Sequence, residues 1–214
     1  MSEDLPIYPD AALRSGLQFA DLARFQSTDK TRVWEKSDRF IAQMEGAESV
    51  PAARAILERD LTPEQSKAAL LQAHGLLFSG RTAAGQLRQS TIAGRYRGQD
   101  CPEPQYIGRS LDNFFSWMTS ESVGEIHPIE KAGLALTRTM DVWPFDYGNL
   151  TVAVMLANRF LHAAGYPPFF VMPQHLPEFD KIVGQAIVIE TQPMVNAIYK
   201  TLKREMEALA HEQQ

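Results

Sequence analysis

The pattern of hydrophobic and polar positions predicts a mainly helical chain. Apolar residues recur at helical spacing over about residues 11–26, 30–44, 50–58 and 62–78, and again over about 107–119, 128–140 and 191–210. The clearest start is at Thr62, whose hydroxyl can cap a helix that has Pro63 at its first position and Gln65 three residues after the cap. We therefore expect a bundle of helices.

One predicted helix differs from the others because it is apolar on nearly every face. It runs from about Leu150 to Ala164, and Gly165 followed by Pro167 prevents it from continuing. A helix that is apolar all round is usually buried on all sides. This helix is therefore expected at the centre of the bundle.

A short stretch over about residues 85–101 departs from the helical pattern. It contains several residues that favour extended structure, and Gly94 and Gly98 interrupt it. This composition predicts a short extended segment or a small β-hairpin, a flap on an otherwise mainly α fold.

Composition narrows the functional classes. The chain has 214 residues, enough for one sizeable core, and a formal net charge of −5, which gives no general attraction to nucleic acid or anionic membranes. Its single cysteine, Cys101, excludes an internal disulfide framework and suits a reducing compartment. The sequence shows neither a secretory signal nor a membrane-length apolar run. We expect a cytoplasmic protein with no membrane or nucleic-acid partner.

The most informative segment is the loop before the apolar helix, Trp143-Pro-Phe-Asp-Tyr-Gly-Asn-Leu-Thr151. A Gly148-Asn149 turn at the start of a buried helix directs unpaired backbone N–H groups into one small space. These donors and the positive end of the helix dipole predict an anion hole suited to phosphate. Phe145 is the expected apolar anchor of this loop.

Segments on both sides of this loop carry a family resemblance. In chain order, the segments are Leu70-Leu-Gln-Ala-His-Gly-Leu-Leu-Phe78, Ala93-Gly-Arg-Tyr-Arg97, Ile126-His-Pro-Ile-Glu-Lys-Ala-Gly133 and Met155-Leu-Ala-Asn-Arg-Phe-Leu-His-Ala-Ala-Gly-Tyr-Pro-Pro168. In this order and spacing, over about residues 65–170, the chain resembles the Fic (Fido) family of protein adenylyltransferases.

The resemblance implies the Fic fold, a helical bundle around a buried central helix with a small β-hairpin flap. It also suggests a layout along the chain: an N-terminal helical extension over residues 1–60, a Fic-like core over 61–190 with the flap at about 85–101, and a C-terminal helix with a polar tail over 191–214.

The resemblance also implies a chemistry. The family motif is His-x-Phe-x-Asp/Glu-Gly-Asn-Gly/Lys-Arg-x-x-Arg. Its histidine takes a proton from a target hydroxyl, its acidic residue holds the magnesium that bridges the nucleotide phosphates, and its arginines bind those phosphates. The result is transfer of AMP to a Ser, Thr or Tyr of a protein.

This chain departs from the motif at its chemical positions. Trp143 stands in place of the histidine, and an indole N–H cannot act as a general base. Tyr147 stands in place of the acidic residue, which leaves Asp146 as the nearest carboxylate. Leu150, Thr151 and Val154 replace the small residue and both arginines. Standard adenylylation and Mg-ATP binding in the usual Fic mode are therefore not expected, and the cofactor is unknown.

The remaining site residues have alternative interpretations. Gly148, Asn149, Trp143 and Thr151 are the candidate ligand or anion site, although the turn alone requires Gly148 and Asn149. Trp143 either stacks on a nucleobase or sugar, or fills the space that the histidine has left. No histidine and carboxylate spacing indicates a metal site.

For catalysis the candidates are Asp146 and His127, and His127 is better interpreted as a helix-start residue that bonds the backbone.

Two further features bear on partners and regulation. Arg95 and Arg97 lie in the expected flap, where the resemblance implies docking of an extended target segment, although a solvated face is the default. Glu45, in Ala42-Gln-Met-Glu-Gly46, faintly resembles the inhibitory glutamate of some Fic proteins. Because the arginine with which that glutamate pairs is Val154 here, we interpret Glu45 as a relic or a coincidence.

Two hypotheses follow. The preferred one is a Fic-fold pseudoenzyme that binds a protein partner, a target or a regulator, or a small anionic ligand. The alternative is a repurposed transferase that modifies a protein with another nucleotide or a nucleotide sugar, with Asp146 or His127 as base and Trp143 stacked on the donor. Both leave a homo-oligomer open.

Overall fold

The computed structural model describes residues 29–96, 98–124, 126–188 and 191–211. The helix predicted over residues 11–26 and the polar tail after residue 211 lie outside these ranges. The helices are α1 (Thr31–Glu45), α2 (Val50–Leu57), α3 (Pro63–Leu77), α4 (Pro104–Met118), α5 (Glu121–Gly124), α6 (Pro128–Val142), α7 (Asn149–Ala163), a 3-10 turn (Pro173–His175), α8 (Leu176–Val188) and α9 (Gln192–His211).

The predicted capping box at the start of α3 is confirmed. The Gln65 N–H donates to the Thr62 hydroxyl oxygen at 3.3 Å, and the Thr62 N–H donates to Gln65 Oε1 at 3.0 Å. Two backbone donors that the helix leaves unpaired are thereby satisfied. The sequence thus specified the start of this helix to the residue.

The central position predicted for α7 is also confirmed. Every residue from Thr151 to Asn158 is buried, and the helix packs most extensively against α6 and also against α1, α2 and α3. It ends where expected, with Gly165 in the left-handed conformation at φ +76°. Because α7 is surrounded by other helices, its N-terminus opens inside the bundle, where it meets residues from distant parts of the chain.

The helix α8 was not predicted, and neither was the four-residue α5. The buried residues of α8, Phe179, Val183 and Ala186, are spaced by four and three, which is the spacing of one helical face, and they pack towards α6 and α9. The signal was therefore present, but the segment is short and preceded by a proline-rich stretch.

The β-hairpin predicted over about residues 85–101 is not confirmed, since the described residues of this segment contain no strand. Their backbone groups bond elsewhere: the Arg88 N–H donates to the Pro144 carbonyl at 2.9 Å, and the Gln99 N–H donates to the Tyr96 carbonyl at 3.0 Å. The segment is a compact irregular loop because these bonds replace a strand ladder.

Candidate functional site

The turn between α6 and α7 is closed by Asn149. Its Oδ1 accepts from the Phe145 N–H at 2.9 Å, and its Nδ2 donates to the Phe145 carbonyl at 2.8 Å. Both ends of the amide are therefore committed to the turn. The Asn149 side chain, predicted as part of an anion site, instead shapes the loop that precedes the helix.

Gly148 is required by both conformation and space. Its φ is +73°, and a Cβ placed on it would lie 2.1 Å from Cε2 of Phe78. A side chain here would be strained and would also collide with a buried ring. The helix N-terminus is thus pressed against α3, which ends beside Phe78.

His74 joins the loop to α3. Its ring stacks on the buried Phe145 ring with centroids 3.8 Å apart and 6° between planes. The Gly85 N–H donates to its Nδ1 at 2.8 Å, so Nε2 carries the proton and donates to the Tyr147 carbonyl at 3.1 Å. Burial lowers the pKa of His74, against the hydrogen bond to Tyr147, and the neutral ring is the form that makes both bonds.

Arg88 holds the other end of the loop. This arginine is only 1% exposed, and its guanidinium donates to the carbonyls of Trp143, Ser90 and Pro102 at 2.8, 2.7 and 2.6 Å. Three carbonyl dipoles thus surround a buried cation. Arg88 fastens the 85–101 segment to the turn that begins at Trp143.

The N-terminus of α7 contacts a carboxylate from α1. One oxygen of Glu45 accepts from both the N–H and the hydroxyl of Thr151, each at 2.8 Å. The Leu150 N–H, one residue earlier, has no acceptor among the residues that the structure describes. The helix N-terminus therefore holds the carboxylate of Glu45, which was interpreted from sequence as a relic or coincidence, and the anion site for an external ligand stays a prediction.

Arg81 connects the ring of Tyr147 to the end of α1. The Arg81 guanidinium carbon is 5.2 Å from the Phe78 ring centroid and 5.1 Å from that of Tyr147, and its Nη2 donates to the Glu45 backbone carbonyl at 2.9 Å. The Tyr147 hydroxyl donates to the Thr82 carbonyl at 2.6 Å. Tyr147 is therefore a structural ring that supports a cation next to the helix N-terminus.

Trp143 and Arg95 meet on the other side of the loop. Trp143 is half-buried, with its ring 6.4 Å from that of Tyr96 and 5.9 Å from the Arg95 guanidinium carbon. Arg95 pairs with Asp180 of α8 at 3.0 Å, and the Tyr96 hydroxyl donates to the same oxygen at 2.8 Å. Burial, and then the hydrogen bond to Asp180, raise the pKa of Tyr96 well above 10. Arg97, the other predicted docking residue, lies outside the described residues.

The two candidate catalytic residues lie apart. Asp146 is exposed and accepts from the Ser90 hydroxyl at 3.4 Å. His127 is buried at the start of α6, where its Nδ1 accepts from the Ile129 N–H at 3.3 Å. The structure therefore places His127 as a helix cap, and it leaves Asp146 as the one of the two that solvent reaches.

Sequence reasoning missed Arg88 and Arg81 and gave His74 no role in the site. The sequence carried one usable signal for Arg88, which is its position between apolar Leu87 and a polar run at the start of the expected flap. Arg81 had none, because the carbonyl that it bonds is 36 positions before it and the Tyr147 ring belongs to the loop far after it.

Two further findings concern metal ions and membranes. No group of three or more His, Cys, Asp or Glu side chains there is placed to hold a metal ion. None of the described helices combines the length and the apolar character needed to cross a membrane.

Comparison with known proteins places this geometry in a family. The Fic/DOC family model matches residues 64–161. The protein adenylyltransferase Fic of Nematostella vectensis is 28% identical over 123 residues, which cover 54% of this chain and 29% of the relative. Fic-1 of Caenorhabditis elegans is 29% identical over 118 residues, 55% of this chain and 23% of the relative. The matched region thus spans less than a third of these curated relatives.

Solved structures show the same fold. A fragment of C. elegans Fic-1 superposes with a TM-score of 0.71 at 19% identity, covering 94% of this chain and 71% of that one. IbpAFic2, solved as a variant in complex with adenylylated Cdc42, gives a TM-score of 0.60 at 17% identity, covering 92% of this chain and 71% of that one. The buried α7, the turn at Gly148 and these comparisons agree: residues 64–161 match the Fic/DOC family model, and the chain has the fold of the solved Fic structures.

Proposed function

We propose that this chain uses the Fic fold to bind a protein partner or a small anionic ligand, and that it does not transfer AMP. One observation carries the proposal: Thr151, at the position of the first motif arginine, gives its N–H and its hydroxyl to the Glu45 carboxylate. The site therefore recognises a negative charge through a helix N-terminus and a hydroxyl, without an arginine fork.

The residues of the loop do not fit Mg-ATP in the usual Fic mode. The Tyr147 hydroxyl, at the acidic position, is bonded to the Thr82 carbonyl, and a phenol is a poor magnesium ligand. Thr151 and Val154 supply no cation for the phosphates. At the histidine position, the Trp143 indole has no lone pair that can take a proton from a target hydroxyl. We therefore derive no step through Mg-ATP.

A protein partner is the favoured class of ligand. IbpAFic2, which shares the fold, is known in complex with adenylylated Cdc42. In this chain the 85–101 segment is held on the domain by Arg88 and by the Asp180 contacts, so it presents a shaped surface next to the loop. A surface held in place in this way binds with little ordering cost.

Labelled ATP with magnesium tests the proposal. We expect no labelled protein with the wild-type chain, and none with Glu45→Gly, because removal of the carboxylate restores neither a base nor a metal ligand. Glu48→Gly, a change at an exposed residue three positions away, is the matched control. Transfer of label by either the wild type or Glu45→Gly would overturn the proposal.

Small anions test the binding half separately. Removal of the carboxylate in Glu45→Ala leaves the Thr151 and Leu150 donors open, so sulfate should raise the melting temperature of this variant more than that of the wild type or Glu48→Ala. Equal shifts in all three proteins would mean that the helix N-terminus takes no external anion.

The repurposed transferase remains a second candidate because Asp146 is exposed at the loop and the Leu150 N–H has no acceptor among the described residues. A thermal-shift screen with nucleotides and nucleotide sugars tests it, with Asp146→Asn as the variant that should keep binding and lose turnover. Gly148→Glu is unsuitable for this purpose, because the clash with Phe78 would disrupt the loop whatever its function.

A further inference from the structure

An exposed aromatic pair marks one face of α4. Tyr106 and Trp117 are 55% and 38% exposed, and they are the large hydrophobic side chains that stand out as exposed in the described part of the chain. Tyr106, Ser110, Asn113 and Trp117 are spaced by four, three and four residues, so they lie along one helical face. Exposed aromatics that share a face are typical of interaction surfaces.

This face borders a groove between α4 and the last turn of α6, which we call the α4–α6 groove. Its volume is about 400 Å³, and its lining includes Asp100, Phe114, Trp117, Arg138 and Asp141. Phe114 is buried at its floor. The groove therefore combines an aromatic wall and an apolar floor with charged side chains.

The charges of the groove are not balanced. Asp100 is exposed and makes no ion pair with any residue that the structure describes. Asp141, whose side chain is 31% exposed, pairs with Arg138 at 3.4 Å. Two carboxylates thus face one guanidinium, and burial raises the pKa of Asp141 against the opposing effect of Arg138. A further cation in the groove would complete the pairing.

We propose that the α4–α6 groove binds a segment of a partner protein through a basic side chain, an arginine or a lysine, which lies against the Trp117 ring and pairs with Asp100 and Asp141. The proposal deepens the partner-binding function proposed above and rests on it. A planar guanidinium suits this site especially well, because it stacks on an indole face while its N–H groups reach carboxylates at its edge. Tyr106, one turn beyond Ser110, extends the apolar contact along α4.

The groove also adjoins the candidate site. Gln99, next to Asp100, donates from Nε2 to the Met140 and Asp141 carbonyls at 2.8 and 3.2 Å. Asp141 lies two residues before Trp143. A partner held by Asp100 and Asp141 would therefore contact the junction between the 85–101 segment and the motif loop, on a surface other than Arg95.

Selection from a display library of random 12-residue peptides against the full chain tests the proposal. We expect enriched peptides that contain an arginine or lysine next to an apolar residue, and their affinity, measured by calorimetry, should fall at least tenfold in Trp117→Gln. Asp100→Lys reverses an exposed charge that has no ion-pair partner among the described residues, so it should weaken binding similarly while the fold is kept. Asp112→Asn, on another face of α4 where Asp112 pairs with Lys67, is the matched control and should bind as the wild type does.

The other outcomes overturn the proposal in distinguishable ways. If the selected peptides lose affinity for Arg95→Ala but not for Trp117→Gln, the chain does bind a partner, but the binding surface is the 85–101 segment. If sedimentation shows that the wild-type chain is a dimer and that Trp117→Gln is a monomer, the occupant of the groove is a second copy of the chain. A selection without enriched basic peptides would reject the groove as a docking site, whereas transfer of labelled AMP would reject the proposed function itself.

Discussion

The carboxylate of Glu45 and the backbone of Thr151 are joined by a 2.8 Å hydrogen bond between residues 106 positions apart in the chain. The bond links the end of α1 to the first turn of α7, and the Thr151 hydroxyl adds a second donor to the same oxygen. α1 therefore completes the candidate site in addition to packing against the bundle.

Removal of this carboxylate should destabilise the fold. Glu45→Ala leaves two donors of Thr151 without their acceptor and removes a negative charge from a helix N-terminus, so we expect a loss of about 1–3 kcal/mol in the free energy of unfolding. Urea denaturation measures it, with Glu48→Ala as the control that should change little. Equal losses in the two variants would show that the Glu45 contact contributes nothing specific.

The stability of the protein should fall at mildly acidic pH through His74. Burial lowers its pKa below the ordinary value of 6.5, so its contribution is fully present above pH 6.5 and is lost as the pH falls through the lower pKa of the folded state. One proton gives a slope of at most about 1.4 kcal/mol per pH unit. Denaturation at several pH values between 5 and 8 measures this slope.

Two variants test whether His74 causes this dependence of stability on pH. His74→Leu should be less stable than the wild type at pH 7.5, because two hydrogen bonds are lost, but its stability should depend less on pH. His175→Gln, a change at an exposed histidine, should keep the wild-type slope. An unchanged slope in His74→Leu would place the acid sensitivity elsewhere.

Arg88 should be one of the most sensitive positions in the chain. Arg88→Met removes a buried guanidinium that donates to three carbonyl groups, so we expect a loss of about 3–5 kcal/mol in the free energy of unfolding. Arg109→Met, a change at an exposed arginine of α4, is the matched control for the same substitution. A loss below about 1 kcal/mol in Arg88→Met would mean that water replaces the guanidinium at these carbonyls.

Substitutions at two glycines allow the energetic cost of backbone strain to be measured separately from that of steric collision. Gly148 and Gly165 have nearly equal φ values of +73° and +76°, but a Cβ at Gly165 meets nothing within 4 Å whereas a Cβ at Gly148 meets the Phe78 ring. Gly165→Ala should cost about 1 kcal/mol from strain alone. Gly148→Ala should cost about 1–3 kcal/mol more.

Thermal denaturation of the two glycine variants measures the difference. Phe78→Leu combined with Gly148→Ala should recover part of the additional loss, because the smaller side chain makes room for the methyl group. Equal melting temperatures for the two single variants would indicate that α3 moves aside at little cost.

The helices could be predicted where their periodicity was regular and their ends carried capping residues. Thr62, Pro63 and Gln65 specify the start of α3 by local hydrogen bonds, which need no other part of the chain. The 85–101 hairpin failed as a prediction for the opposite reason. Whether extended residues form a strand depends on which groups accept their hydrogen bonds, and the Arg88 N–H bonds to Pro144, 56 residues away in sequence.

By itself, the sequence determined the buried helix α7, the turn at Gly148 and Asn149, and the side chains that stand at the motif positions, because these depend on local backbone preference and residue chemistry. The tertiary structure decided what surrounds the turn. It placed Glu45 at Thr151, Arg88 under Trp143 and His74 against Phe145, since each of these contacts joins residues that only the packing of the helices brings together. The backbone turn at the candidate anion site was predictable from local residues, whereas the contact between Glu45 and Thr151 depends on the packing of α1 against α7.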